Sequence, residues 1–394
     1  MRAGPLLMTR LGLLLVLGSL ILSAPTAWGE PMEVWNTTYG GPGHEVGGMI
    51  SEAGDGGYIL TGMTESYGAG NCDIWLLMID SNGSRVWDKP FGGPGIDVGA
   101  EVQRTSDGGY IIAGYTTSSG AGGKDAVLVK TNPNGDAEWM RTFGGRGDDV
   151  ASSVREANDG GYIFAGSTDS HGIGKGDLWL VKTDQSGVEE WNRTFGGPGD
   201  DEGLAMLEAE DGGYLIAGRT DSYGSGGYDG WLIKTDHEGA IEWERTFGGS
   251  KQDGFTSIET ARDGGYVICG FSNSFGAGDY DVWLIKVGSE GNLEWSTTFG
   301  GSAGDFGNSV RGSDDGGYIV SGWTSQSGSR TSPDEALLIK VSSNGTEEWR
   351  KSIGGDGVYS GISALQTRDG GYLLSGFSNQ HSAGGFDFWV MKLI

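Results

Sequence analysis

Of 394 residues, 78 are glycine, about a fifth of the chain against the ~7% usual for globular proteins, yet with only 9 prolines and no Gly-X-Y period a collagen-like triple helix is excluded. Fourteen Trp, 14 Tyr and 13 Phe are too many for a disordered chain. The formal charge of −27 reflects scarce Lys and Arg, and it argues against nucleic acid or an anionic membrane surface as partner.

In chain order, residues 1–29 read as a secretory signal peptide: Arg2 and Arg10 precede an apolar run over 11–22, and Ala27-Trp28-Gly29 gives a small-x-small cleavage site. The apolar run is shorter than the ~20 residues that span a bilayer. The mature chain, 30–394, is therefore expected outside the cell or at its surface, with no membrane insertion after cleavage. The only cysteines, Cys72 and Cys269, fall at different positions of the repeat described next, so no disulfide between them is expected.

Asp-Gly-Gly-Tyr recurs from Asp55, Asp107, Asp159, Asp211, Asp263, Asp315 and Asp369, at a spacing of 52 that lengthens once to 54. A second anchor, Trp35, Trp87, Trp139, Trp191, Trp243, Trp295 and Trp349, keeps the same spacing. In the third unit four short strands are predicted, A at 150–156, B at 162–167, C at 178–183 and D at 190–195, each bounded by Gly, Asp, Asn or Ser clusters and none with a helical period. Asp-Gly-Gly links A to B, and a turn holding Gly187 links C to D. Four-stranded meanders at this period predict one all-β domain, a seven-bladed β-propeller, read as a monomer.

The first predicted strand, around Trp35, is of type D, and the sequence stops within a type C strand at Ile394. The N-terminal strand is therefore expected to complete the last blade and leave no open seam. The third position of strand A reads Gly47, Gly99, Ala151, Gly203, Phe255, Gly307 and Gly361, small residues suited to crowding around an axis. Phe255 breaks that pattern and is expected to plug the channel.

Lys182-Thr183-Asp184-x-x-Gly187-x-x-x-Trp191 resembles the tryptophan-docking motif of quinoprotein-type propellers. The full unit, Asp-Gly-Gly-Tyr followed by Trp-Leu-Ile-Lys-Thr-Asp, resembles tandem-repeat propellers of secreted archaeal and bacterial surface proteins. That resemblance covers all seven units and implies that the Trp packs between neighbouring blades. It implies no quinoprotein activity, because there are seven units, not eight, and no adjacent cysteine pair.

Since strands alternate in direction, the D–A and B–C loops share one face, and their length and variety make it the candidate functional face. Each B–C loop ends in an acid: Asp73, Asp125, Asp177, Asp229, Asp281, Glu335 and Asp387. The D–A loops supply Glu45, Asp97, Asp149, Asp201, Asp253 and Asp305, with Tyr359 in the seventh. Two readings stand: Asp97, Asp149, Asp201, Asp253 and Asp305 hold calcium, a hard cation that takes carboxylates, or each carboxylate caps its own loop, as recurrence in every blade favours. No other cofactor is expected.

Tyr67, His171, Tyr223, Phe275 and His381 stand six residues before these acids and are candidate ligand-binding residues, since rings beside carboxylates suit a glycan. The competing reading packs them over the gaps between blades. His44 and His381, with Glu45 and Asp387, are a candidate transition-metal set. The sequence thus reads as a binding module for an extracellular protein or glycan. The alternative is a carbohydrate-active enzyme using paired carboxylates of the same face. No nucleophile elbow or phosphate loop appears. Asn36, Asn82, Asn192 and Asn344 begin Asn-x-Ser/Thr sequons.

Overall fold

The computed structural model describes residues 30–54, 56–325 and 335–394; the expected signal peptide, Asp55 and the segment around 330–333, where the two extra residues of the lengthened sixth repeat are expected, lie outside them. The described residues form seven antiparallel four-stranded sheets and no helix long and apolar enough to cross a membrane. Blade three is typical, with A at Asp149–Glu156, B at Tyr162–Thr168, C at Asp177–Thr183 and D at Glu189–Phe195. The expected bounds hold to within one residue.

Burial follows position in the blade. Strand C is buried along its whole length, because both its faces meet neighbouring blades, whereas strand D exposes its outer edge. Each strand A carries a register shift after its third position, as between Ala151 and Ser153. Residues from all seven strands A line one axial cavity of about 360 Å³, which places them innermost.

The ring closes as expected. Glu33–Tyr39 pairs antiparallel with Asp387–Leu393, so the last sheet joins the first strand of the domain to its last three. Asn36 Oδ1 accepts a hydrogen bond from Trp389 Nε1 at 2.7 Å.

Neighbouring blades dock through the repeated tryptophans. A Cβ built on Gly135 would lie 2.5 Å from the Trp87 ring of the preceding blade, so only glycine admits it there. The pairs Trp35/Gly83, Trp139/Gly187, Trp191/Gly239, Trp243/Gly291 and Trp295/Gly345 repeat this contact. Trp349 lies 5.4 Å from the Tyr372 ring of blade seven.

A second repeated device stabilises the face of the A–B and C–D turns. Lys182 is buried, and its ammonium meets Asp159 at 2.7 Å, Glu190 at 2.9 Å and the Thr183 carbonyl at 3.0 Å. Lys130, Lys234, Lys286 and Lys340 each join their own Asp-Gly-Gly aspartate to a strand D glutamate in the same way. The aspartate thus fixes the turn and clamps the lysine. Blade one has Met78 at the lysine position.

Phe255 does not plug the channel. It is fully buried, 5.1 Å from the Trp283 ring, and lies against Gly230 of the preceding blade. Burial between blades outweighs exposure along a wet axis.

Candidate functional site

Among the described residues the D–A and B–C loops are joined from one blade to the next. Asp97 N–H donates to the Cys72 carbonyl and Thr117 N–H to the Ile96 carbonyl, and blades three to five repeat these bonds. Within these loops, Asp97, Asp149, Asp201 and Asp253 are fully buried and Asp305 is 6% exposed. Asp97 accepts from Gly93 N–H at 2.8 Å, Ser118 Oγ at 2.6 Å and Thr116 Oγ1. Asp149 and Asp201 repeat the pattern, with Ser170 and Ser222 at 2.6 Å. Asp253 takes the Gly249 N–H and Asp305 the Gly301 N–H. The geometry makes these carboxylates loop caps, one per blade. Among the described residues no group of three or more His, Cys, Asp or Glu is placed to hold a metal ion.

The B–C acids sit beside these caps. Asp73 and Asp97 crowd the same face of Gly92, Asp177 and Asp201 that of Gly196, and Asp387 and Glu45 that of Gly40. Burial pushes the Asp177 carboxyl up to about 6, with Asp201 and Asp169 adding to it. Asp73, Asp229, Asp281 and Asp387 are also raised, first by burial and further by the cap acid alongside.

Four of the five candidate rings pack on the buried tryptophan of their own blade. Tyr67 lies 5.6 Å from Trp75, His171 5.6 Å from Trp179, Tyr223 5.5 Å from Trp231 and Phe275 5.6 Å from Trp283. The Tyr67 and Tyr223 hydroxyls donate across the gap to the Gly40 and Gly196 carbonyls of the preceding blade, at 3.0 and 2.8 Å. Tyr223 and Phe275 remain 45% exposed. The fold spreads these rings over separate blades. His381 adopts φ 59°, and its carbonyl accepts from Thr38 Oγ1 at 3.3 Å. His44 Nδ1 accepts the Phe386 N–H at 3.1 Å, which commits one of its nitrogens to the blade-seven loop.

The face does gather another set of side chains. In strand B the residue between the repeated glycine and the following Thr or Ser reads Met63, Tyr115, Ser167, Arg219, Phe271, Trp323 and Phe377. Its cross-strand neighbours on the innermost strand include Glu202, Gly254 and Phe306. Directly paired residues share a sheet face, so this variable pair rings the axis beside these loops.

Blades four to six turn that ring into a contiguous strip. Arg219 grips Glu202 through Nε at 3.1 Å and Nη2 at 2.8 Å, with its guanidinium 4.6 Å over the Tyr228 ring. A Cβ on Gly254 would lie 2.9 Å from Phe271 and 3.5 Å from Arg219 Cβ, so the two groups adjoin. Phe306 then contacts Phe271 at 5.2 Å, Tyr280 at 4.7 Å and Trp323 at 4.4 Å, the last ring stacked at 17°. Gly254 is buried and the other residues of the strip are half-buried. On the adjoining arc, running back from blade four, Asp148, Asp169 and Asp221 are exposed and Asp200 half-buried. Burial raises the Asp169 carboxyl, and Asp148, Asp149 and Asp200 raise it further.

These residues escaped the sequence reading, which followed what the units share. The signal lay in what they do not share: one position varying from Ser to Trp inside a nearly fixed Gly-x-Thr/Ser frame.

No family model matches the chain. Over 234 residues, 51% of the chain, it is 26% identical to the regulatory protein FlaEY of Caulobacter vibrioides, and it spans about a quarter (24%) of that protein's length. BBS1N, solved in complex with ARL6DN, superposes with a TM-score of 0.52 at 10% identity, covering 92% of this chain and 96% of that one. BamB from Moraxella catarrhalis covers 92% of this chain and all of its own at 14% identity, with a TM-score of 0.43. At such identities the likeness to solved structures is one of fold, and the chain is a seven-bladed β-propeller.

Proposed function

We propose that this propeller is a secreted or cell-surface binding module that takes an extracellular protein or glycan on its D–A/B–C face. The observation that carries this reading is the break in sevenfold symmetry there: Phe271, Tyr280, Phe306 and Trp323 touch one another beside the axis. Half-exposed aromatic clusters of this kind form the energetic centres of interfaces. The opposite face repeats one Lys–Asp–Glu clamp in five blades. BBS1N, a propeller of similar fold, is known in complex with a protein.

The test is selection of ligands for residues 30–394 from a displayed peptide library and a glycan array, repeated with Phe306→Ala and with Glu290→Gln on the opposite face. Binding lost in the first variant and kept in the second supports the reading. The reverse result overturns it.

A further inference from the structure

The strip and the acidic arc together specify the chemistry of the partner more narrowly, an inference that rests on the binding role proposed above. Phe271, Phe306 and Trp323 present hydrocarbon surface, and the Tyr280 hydroxyl already donates to Gln252 Oε1 at 3.2 Å. The Glu202 carboxylate and the Arg219 guanidinium are spent on each other. A sugar laid on this strip would find ring faces but few free polar groups for its hydroxyls, whereas apolar side chains need none.

At the Tyr228 end the character changes. Asp200 and Asp221 lie close enough to raise the Tyr228 hydroxyl, after the larger effect of burial, and Asp148 and Asp169 continue the acid arc through blades two and three. Lys124 and Lys175 answer part of this charge: Lys175 stands 3.7 Å from Asp200 and Lys124 4.8 Å over Tyr115. The whole chain carries −27, so a cationic ligand is drawn to the protein over long range, and the acid arc gives it a landing place on this face.

We propose that the occupant is a basic polypeptide segment: its aliphatic or aromatic side chains lie over Phe271, Phe306 and Trp323, and its lysines or arginines reach Asp169, Asp200 and Asp221. The hydrophobic contacts supply affinity, while the acids set orientation and association rate.

The experiment titrates residues 30–394 with three fluorescein-labelled twelve-residue peptides: lysine alternating with leucine and phenylalanine, its glutamate counterpart, and lysine alternating with serine. Only the first is expected to bind. Its Kd should rise at least tenfold for Phe306→Ala, at least tenfold for Asp169→Asn/Asp200→Asn/Asp221→Asn, and steeply with salt, at unchanged melting temperature. Should Phe306→Ala lower that temperature, the surface triple variant and the salt dependence decide alone. Equal binding of the glutamate peptide, or no binding of any peptide, overturns the inference. A glycan ligand lost in Phe306→Ala, with no peptide bound, overturns the peptide class yet keeps the binding face. Peptide binding abolished by Glu290→Gln and untouched by the other variants overturns both.

Discussion

Phe255 of blade five occupies the volume that Gly230 of blade four vacates: a Cβ on Gly230 would lie 2.6 Å from the Phe255 ring. The same seam elsewhere reverses the sizes. Gly99 faces Ile74, Gly203 faces Leu178 and Gly307 faces Val282. These four inter-blade seams thus each take one large and one small partner. Phe255→Ala is expected to cost about 3–5 kcal/mol in urea denaturation. Gly230→Leu should be similarly harmful alone, while Phe255→Ala with Gly230→Leu should recover most of the loss. Additive single losses in that double-mutant cycle would refute the reciprocity.

Deleting residues 33–40 removes the outer strand of blade seven, the Trp35 contact with Gly83 and the bond from the Tyr39 hydroxyl to the Gly83 carbonyl at 2.5 Å. The truncated ring is expected to melt about 10 °C lower or more. A synthetic 33–40 peptide added in excess should raise the melting temperature again. An unchanged melting curve in the truncation refutes closure through this strand.

The lysine clamps invert the usual expectation for a buried charge. Lys182→Met copies what blade one does with Met78, and Asp159 and Glu190 are about half exposed, so their charges return to water. Its cost is expected below about 1 kcal/mol. Asp159→Ala instead strips a partner from an ammonium only 5% exposed, at a cost of about 1.5–3 kcal/mol. Chemical denaturation of the two variants checks the order.

Acid and alkali should act through different groups. Burial opposes ionisation of Asp107 and Asp315, but Lys130 and Lys340, aided by hydroxyl and N–H donors, hold both at about 2; Asp369 is held at about 2 by Lys392. Their stabilisation is full above the unfolded value near ~4 and is lost as pH falls toward 2. Asp177, raised to about 6, has the opposite sign: its contribution is present below the unfolded value and is lost as pH rises through 6. Asp177→Asn is therefore expected to stabilise the protein by about 1–2 kcal/mol at pH 8 and not at pH 4. Melting curves of both proteins across this range measure it.

The cap carboxylates bear on calcium. A cation at Asp97 or Asp149 would have to displace hydroxyl and N–H donors already bound. The expected melting temperature is the same in EDTA and in millimolar calcium. A calcium-dependent rise would show that these loops reorganise around the ion.

The repeat itself made the blade count, the strand bounds and the ring closure legible, because Asp-Gly-Gly, the C–D glycine and the docking Trp each have one geometric use. The partner of the Asp-Gly-Gly aspartate was hidden, since Asp159 and Lys182 meet only when strands B and C lie side by side. Phe255 misled because its partner, Gly230, belongs to another unit. The aromatic strip was hidden for a related reason: Phe306 meets Trp323 only across paired strands, and Phe271 only when blades five and six stand against each other.

Joining the first strand to the last three also fixes an order of events. Asn36 and Trp389 are 353 residues apart in sequence yet bonded in one sheet. Whatever the earlier blades achieve during synthesis, the strand at Glu33–Tyr39 must wait, unpaired, until Asp387–Leu393 has been made. The final step is then a single closure of very high contact order, slow by comparison with the formation of any one blade. Until then the chain presents two sticky edges, so the partly made ring is the stage most exposed to mispairing with a second copy.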